Sequence, residues 1–200
     1  MQLTQIERLQ DIARRAELGA ERLQRCPDID TNGLSADLRR AIEGEVRFDA
    51  GSRALYATDA SNYRQVPIGI VIPRHADDVV AALAIARRYG APILARGGGT
   101  SMAGQSCNVA LVLDFSKYMH RLLALDPKRK QALVQPGLVL DDLQSAAKPH
   151  RLMFPPDPAT HDHCTLGGMI GNNSCGTHSV MGGTTADNVE VLDILTYDGL

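Results

Sequence analysis

Pro92-Ile93-Leu94-Ala95-Arg96-Gly97-Gly98-Gly99-Thr100-Ser101-Met102-Ala103-Gly104-Gln105 decides how the rest of the chain is read. The first four residues predict a short strand. The glycines after it let the backbone turn sharply and bring successive N–H groups to one point. Such a nest suits a diphosphate, because each charged oxygen accepts backbone hydrogen bonds without needing a lysine. Three nucleotide-binding patterns compete for the loop. The dinucleotide fingerprint needs glycine at the first, third and sixth positions, and counting from Gly97 the sixth is Met102. A Walker-type loop has the glycine separation of Gly99 and Gly104. There, however, Gln105 stands where a lysine must reach the phosphates, and a strand follows instead of a helix.

The third pattern is a flavin diphosphate held by two glycine loops. Cys164-Thr165-Leu166-Gly167-Gly168-Met169-Ile170-Gly171-Asn172-Asn173-Ser174-Cys175-Gly176 supplies the second loop. Its small residues allow close approach, and its hydroxyls and amides suit a diphosphate and the edge of a flavin ring. One glycine cluster often marks nothing more than a tight turn. Two of them in one alternating α/β region favour ligand loops.

Working outward, Val66–Ile72 reads as a buried strand that stops at Pro73. His75–Tyr89 reads as a helix with Val79, Leu83 and Ala86 on one face and Gly90 as its stop. Ala110–Asp114 is a further strand, and Arg121–Asp126 and Lys130–Gln135 form a hairpin around Pro127-Lys128-Arg129. Leu138–Ala147 predicts a helix with Val139, Leu140, Leu143 and Ala147 inward. Pro155–Asn188 is a long segment rich in Gly, Pro, Asn and His. Val189–Thr196 predicts a final strand that ends in the hairpin pair Asp198-Gly199.

Upstream, Leu3–Arg25 places Leu3, Ile6, Leu9, Ile12, Ala16 and Leu23 near helical spacing and predicts an amphipathic helix. Cys26–Gly33 reads as a breaker, Ser35–Ile42 as a short helix with a serine cap, and the stretch through Tyr56–Tyr63 as loop-rich. The expected organisation is a helical extension over residues 1–63 and a ligand-binding domain over 64–200. A chain ending just past a hairpin turn lacks the returning strand, so the domain is expected to be C-terminally incomplete and the chain the N-terminal piece of a longer protein.

The formal charge of −2 over 200 residues gives no basic excess for nucleic acid. No apolar run suits a signal peptide or a membrane span, so a cytoplasmic protein is expected. Cys26, Cys107, Cys164 and Cys175 form no C-x-x-C pair and read as free, mostly buried thiols. His161-Asp162-His163-Cys164, with His178, offers imidazole and thiolate ligands. That stretch leads straight into the second glycine loop, and no metal is expected. Asp141 and Asp142 are adjacent on a predicted helix and do not face one way, so they read as an N-terminal helix face and not as a catalytic pair. Arg87-Arg88 and Lys128-Arg129-Lys130 read as solvated basic runs.

Arg96–Gln105, Pro156-Asp157-Pro158, Thr165-Leu166-Gly167-Gly168 and Asn173-Ser174-Cys175-Gly176 together resemble the FAD-binding domain of the vanillyl-alcohol oxidase superfamily, also called the PCMH type. Within it the resemblance is closest to FAD-linked dehydrogenases of D-2-hydroxy acids: the D-lactate and D-2-hydroxyglutarate dehydrogenases and the flavin subunit of glycolate oxidase. Gly167–Gly183 is most similar to long bacterial members with a C-terminal iron–sulfur domain. The resemblance implies an α+β fold, with two small α/β subdomains, the flavin between them and helices before them.

The same resemblance implies positions. Arg96, Gly97, Gly98, Gly99, Thr100 and Ser101, with Gly104 and Gln105, would wrap the FAD diphosphate, and Pro73 would lie near the adenosine. Pro156, Asp157, Thr165, Gly167, Gly168, Gly171, Asn172, Asn173 and Gly176 would line the diphosphate and flavin. Val189 would meet the adenine through its backbone. Some relatives tether the flavin through a histidine in the first loop; Thr100 stands there, which implies non-covalent FAD. Cys175 replaces a more usual glycine.

The implied reaction oxidises a D-2-hydroxy acid to the 2-oxo acid by hydride transfer to flavin N5. Electrons then pass to an acceptor, in long members through an iron–sulfur cluster in the C-terminal part. Such a protein would be cytoplasmic or peripheral to the inner membrane through its acceptor, and an oligomer stays open. Substrate-binding and acid–base residues are expected after Leu200, so the chain alone is expected to show no turnover and to hold FAD weakly at best. Two other readings remain: a non-catalytic module without FAD, and a different flavin oxidoreductase, such as a sugar-lactone or nucleotide-sugar enzyme.

Overall fold

A computed structural model describes residues 29–199; the expected helix Leu3–Arg25 and Cys26 lie outside the described residues. In chain order the elements are α1 (Thr31–Ala41), β1 (Glu45–Arg47), α2 (Ala50–Leu55), β2 (Gly69–Ile72), α3 (Ala76–Arg88), β3 (Ile93–Arg96) and β4 (Leu111–Asp114). They are followed by β5 (Leu122–Asp126), β6 (Gln131–Val134), α4 (Leu140–Ala147), α5 (Leu166–Asn172) and α6 (Ser179–Gly182).

The first sheet has the order β1-β2-β4-β3, with β2 and β3 parallel to β4 and β1 antiparallel to β2. Every residue of β2 and β4 is buried, as expected for central strands covered on both faces. Ile70, Ile72 and Val112 form the heart of this lobe, with Leu94, Tyr56 and Tyr118 packed around them. Because β2, β4 and β3 run the same way, Pro73, Gly97 and Phe115 all leave the sheet at one carboxyl edge. That edge is where open α/β sheets bind ligands.

Helix α3 carries its own boundary signals. His75 caps it through Nδ1, Asp77 and Asp78 fill the first turn, and Arg87 and Arg88 the last, each favourable to the helix dipole. Asp78 is buried and fully occupied: its two carboxylate oxygens accept the backbone N–H groups of Glu43 and Arg74, both at 2.8 Å. That side chain joins the end of the α1–β1 connection to the start of α3.

Three expectations in this lobe are corrected. Helix α1 begins at Thr31, so Ser35 lies inside it, buried and with its hydroxyl unpartnered, and is not a cap. Packing of α1 on α3 and burial of Leu34 and Leu38 override the breaker signal of Asn32-Gly33. The loop-rich stretch contains α2, whose N-cap is the Asp49 side chain. Strand β1, from the expected helical extension, pairs antiparallel with β2.

The second lobe pairs the expected β5–β6 hairpin with α4 and α5. Its core is Leu138, Leu140, Leu143, Cys164, Leu166 and Met169, with Leu122, Val134 and Phe154 against it. Helix α5 lies within the long glycine-rich segment, and three of its residues are glycines, each about 1 kcal/mol worse than alanine in a helix. It forms because Leu166 and Met169 fall one turn apart onto the core, Thr165 caps the start, and Asn173 ends it in the left-handed conformation (φ 47°). The strand expected at Val189–Thr196 is not formed. No strand among the described residues pairs with it, and Val191, Leu192 and Ile194 are exposed. Instead Tyr197 donates its hydroxyl to the Ala91 carbonyl at 3.0 Å, and Arg87 donates to the Asp198 carbonyl at 2.6 Å.

Two outcomes follow for stability. Leu111→Ala empties the centre of the sheet and is expected to cost about 2–5 kcal/mol in urea denaturation. Glu45 accepts hydrogen bonds from Lys117, Tyr118 and Arg47, which bring its carboxyl from 4.5 down to about 2. A depressed carboxyl stabilises the fold above its unfolded value and loses that contribution as pH falls through the folded one. Glu45→Gln is therefore expected to lower the unfolding midpoint at pH 6, with the difference from wild type fading between pH 4.5 and about 2.

Candidate functional site

The two glycine loops meet. A methyl group on Gly97 would overlap Oγ1 of Thr165, and one on Gly98 would overlap the carbonyl oxygen of His163. Gly99 (φ 67°) and Gly104 (φ 80°) adopt the left-handed conformation that other residues resist. Across this turn, the backbone N–H groups from Gly97 to Met102 donate to no acceptor among the described residues. A run of free donors at the carboxyl edge of a parallel sheet is what a multiply charged anion such as a diphosphate requires. The loop's side chains carry no charge. Ser101 donates its hydroxyl to Gln105 Oε1 and accepts the backbone N–H groups of Ala103 (3.3 Å) and Gln105 (3.4 Å), which curls the loop's far end.

The Arg96 side chain is engaged by the protein itself. Its guanidinium donates to the carbonyls of Ser106 (2.7 Å), Thr58 (2.9 Å) and Tyr56 (3.4 Å), and it lies over the Tyr56 ring at 5.3 Å. The side chain is thus turned to the protein behind the loop. Sequence reasoning missed this backing, which comprises Tyr56, Asp59, Ser61, Tyr63 and Ser106. Tyr63 packs its ring on Gly104, and Ala60 N–H donates to the Gly99 carbonyl at 3.1 Å. The pattern Asp59-Ala60-Ser61 is a turn signature that was available to find it.

In the second loop the early residues are committed to packing. Thr165 is buried, and its hydroxyl accepts Gly168 N–H at 3.4 Å. Leu166 N–H donates to the Leu138 carbonyl at 2.9 Å and Gly167 N–H to the Pro136 carbonyl at 2.8 Å. The start of α5 therefore offers no free donor. Its far end is open: Gly171, Asn172, Asn173 and Cys175 are exposed, and nothing stands within 4 Å of where a Gly171 side chain would begin. Asn172 donates to the Gly168 carbonyl, and Asn173 Oδ1 accepts Ala186 N–H at 2.8 Å.

Buried Pro156 and its neighbour Asp157 sit beneath the end of this loop. Gly176 lies so close to the Asp157 carbonyl that a side chain would overlap it, and His178 donates its backbone N–H to Asp157 Oδ1 at 2.9 Å. That N–H, with the imidazole, holds the Asp157 carboxyl below its usual range. Pro73 stands at the same sheet edge, packed near Gly44, and Val189 follows a short 3-10 turn at Ala186–Asn188.

His161, His163 and His178 each pair with a different carboxylate, Asp141, Asp162 and Asp157. Among the described residues no three ligand-type side chains converge. Asp141 and Asp142 occupy the first turn of α4. Burial pushes the Cys107 and Cys164 thiols up, whereas Cys175 is exposed, against the expectation of a buried thiol. No helix among the described residues is long and apolar enough to cross a membrane.

Residues 67–200 match the model of the family described as FAD binding domain. The chain is 37% identical over 172 residues to a D-2-hydroxyglutarate dehydrogenase of Pseudomonas putida, covering 83% of this chain and 17% of that one. It is 34% identical to the glycolate oxidase subunit GlcD of Bacillus subtilis, over 79% of this chain and 34% of that one. Among solved structures, an alkyldihydroxyacetonephosphate synthase superposes with a TM-score of 0.70 at 21% identity, over 78% of this chain and 32% of the other. A substrate-bound p-cresol methylhydroxylase superposes at 0.63 and 18%, over 72% and 30%. These likenesses show the PCMH-type fold. The chain spans between about a sixth and a third of the length of these relatives.

Because the loops touch through glycine, Gly97→Ala is expected to force them apart and cost about 1–3 kcal/mol by chemical denaturation, while Gly171→Ala, in open space on helix α5, is expected to be neutral or to stabilise by up to about 1 kcal/mol.

Proposed function

The chain belongs to the FAD binding domain family, and on that premise we propose that it holds FAD without a covalent bond, as the flavin part of an oxidoreductase that converts a D-2-hydroxy acid to a 2-oxo acid. The observation that carries the reading is the run of unengaged N–H donors from Gly97 to Met102, on a loop already docked to a second glycine loop. Glycolate- and 2-hydroxyglutarate-type acids fit the relatives named above, and a lactate-type acid fits a mitochondrial D-lactate dehydrogenase of Kluyveromyces lactis, 30% identical over 76% of this chain and 27% of that one.

When bound, the flavin supplies a hydride acceptor, which no side chain of the chain provides. The chain's part is to bind and orient it. Backbone donors of Gly97, Gly98, Gly99, Thr100 and Ser101 take the diphosphate oxygens, with Gly104 and Gln105 shaping the far end of the loop. Arg96 holds that loop from behind. Gly171, Asn172, Asn173 and Gly176 form the facing wall, supported by Pro156 and Asp157. Thr165, Gly167 and Gly168 hold that wall against the first loop, and Pro73 and Val189 lie toward the adenosine. Thr100 has no nitrogen with which to tether the ring. Groups that bind the substrate carboxylate and move the hydroxyl proton belong to a longer protein, as do the electron acceptor and any iron–sulfur cluster.

Titrating FAD into the 200-residue chain is expected to give a saturable complex with a flavin absorbance band, and acid or heat is expected to release all the flavin to the supernatant. Absence of binding overturns the cofactor, and flavin that stays with the denatured chain overturns the non-covalent assignment. With FAD added, the chain is expected to leave D-lactate, glycolate and D-2-hydroxyglutarate unoxidised; turnover would place the acid–base groups within these residues.

A further inference from the structure

We propose that Asp59 and Arg96 are positioning residues that set the shape of the first glycine loop from behind, before any cofactor arrives and without touching it; the proposal rests on the FAD reading above. A loop with glycine at positions 97, 98, 99 and 104 is costly to order, because glycine loses more backbone freedom than any other residue. Binding is tighter when that ordering is complete beforehand. The loop's own contacts are few, so the order has to come from its neighbours.

Residues 56–65 form that neighbour. The segment closes on itself through a Thr58–Arg64 bridge and the Gln65 N–H donating to the Ala57 carbonyl at 2.8 Å, which makes a compact brace under the loop. Two charged side chains rivet brace to loop. From the brace, Asp59 Oδ2 accepts the Ser106 hydroxyl at 2.9 Å and its N–H at 3.3 Å, while Oδ1 accepts Ser61 N–H at 2.9 Å. From the loop, Arg96 reaches back to Thr58 and Tyr56 while also holding the Ser106 carbonyl. Ser106 is thus gripped from both sides, its N–H and hydroxyl by a carboxylate and its carbonyl by a guanidinium. Burial pushes the Asp59 carboxyl up, and the Ser61 and Ser106 hydrogen bonds outweigh it, so the group stays ionised.

The two rivets fix the ends of the loop differently. Arg96 opens it and presses its guanidinium against Gly99, while Asp59 closes it at Ser106 and, through Ser61 and Tyr63, sets the ring on which Gly104 rests. Between those fixed ends lie the backbone N–H groups that donate to no acceptor among the described residues. Three carbonyls at fixed spacing need a forked donor, which lysine cannot supply.

The test compares FAD dissociation constants and ligand-free unfolding temperatures for wild type, Asp59→Asn, Arg96→Lys and Ser106→Ala in the full chain. Asp59→Asn and Arg96→Lys are expected to weaken FAD about ten- to a hundredfold, and Ser106→Ala about three- to tenfold, by loss of charge-assisted hydrogen bonds. The ligand-free unfolding temperature is expected to stay near that of wild type. The Asp59→Asn/Ser106→Ala pair is expected to lose less than the product of the single losses, because both cut the same bond. Unchanged affinity in the variants overturns the proposal. So does a fall in unfolding temperature that parallels the affinity loss across all three variants, or a full multiplicative loss in the double variant. Wild type that binds no FAD fails the cofactor reading itself, and this proposal with it.

Discussion

The closeness of two backbones, possible only because Gly97 and Gly98 lack a Cβ, holds the candidate site together. Thr165 and the His163 carbonyl occupy the room those side chains would take. The contact joins the end of β3 in one lobe to the start of α5 in the other, so the relation of sheet to helices is settled at the ligand loops themselves. Further along the second loop, α5 ends in exposed residues and Gly176 packs on the Asp157 carbonyl.

The sheet lobe was largely legible in sequence because its signals are local. Runs such as Ile70–Ile72 and Leu111–Leu113 and the caps of α3 each announce themselves within a few residues, as does the turn at Pro127-Lys128-Arg129 in the second lobe. The failures share a different cause. Helix α5 has poor intrinsic propensity and forms through burial of Leu166 and Met169, a tertiary effect. Val189–Thr196 has strand-forming residues but no neighbouring ladder. Ser35 sits where a cap is common, yet burial of Leu34 carries the helix past it.

The site divides in the same way. Glycine spacing identified both loops, since glycine reports a local backbone need. The grip on Ser106 by Asp59 and Arg96 joins residues far apart in sequence and has no period to read. The sequence also assigned roles by proximity to a motif. Thr165, Gly167 and Gly168 belong to the motif, but the first-turn donors of α5 are taken by Thr165 itself, Pro136 and Leu138. Unlike a doubly wound nucleotide fold, this one leaves its unengaged N–H groups on an irregular loop and not at a helix start.

That choice of donor has a consequence for how binding responds to its medium. Residues 97–105 contain no lysine, arginine, aspartate or glutamate, so the surface offered to a diphosphate is made of amide dipoles. Dipoles attract at short range and carry no long-range field for dissolved ions to screen, whereas a lysine-lined cradle weakens as the Debye length shrinks toward about 8 Å at physiological ionic strength. A diphosphate held this way would be selected by shape and donor geometry, and its binding would fall less with salt than in a lysine-lined cradle.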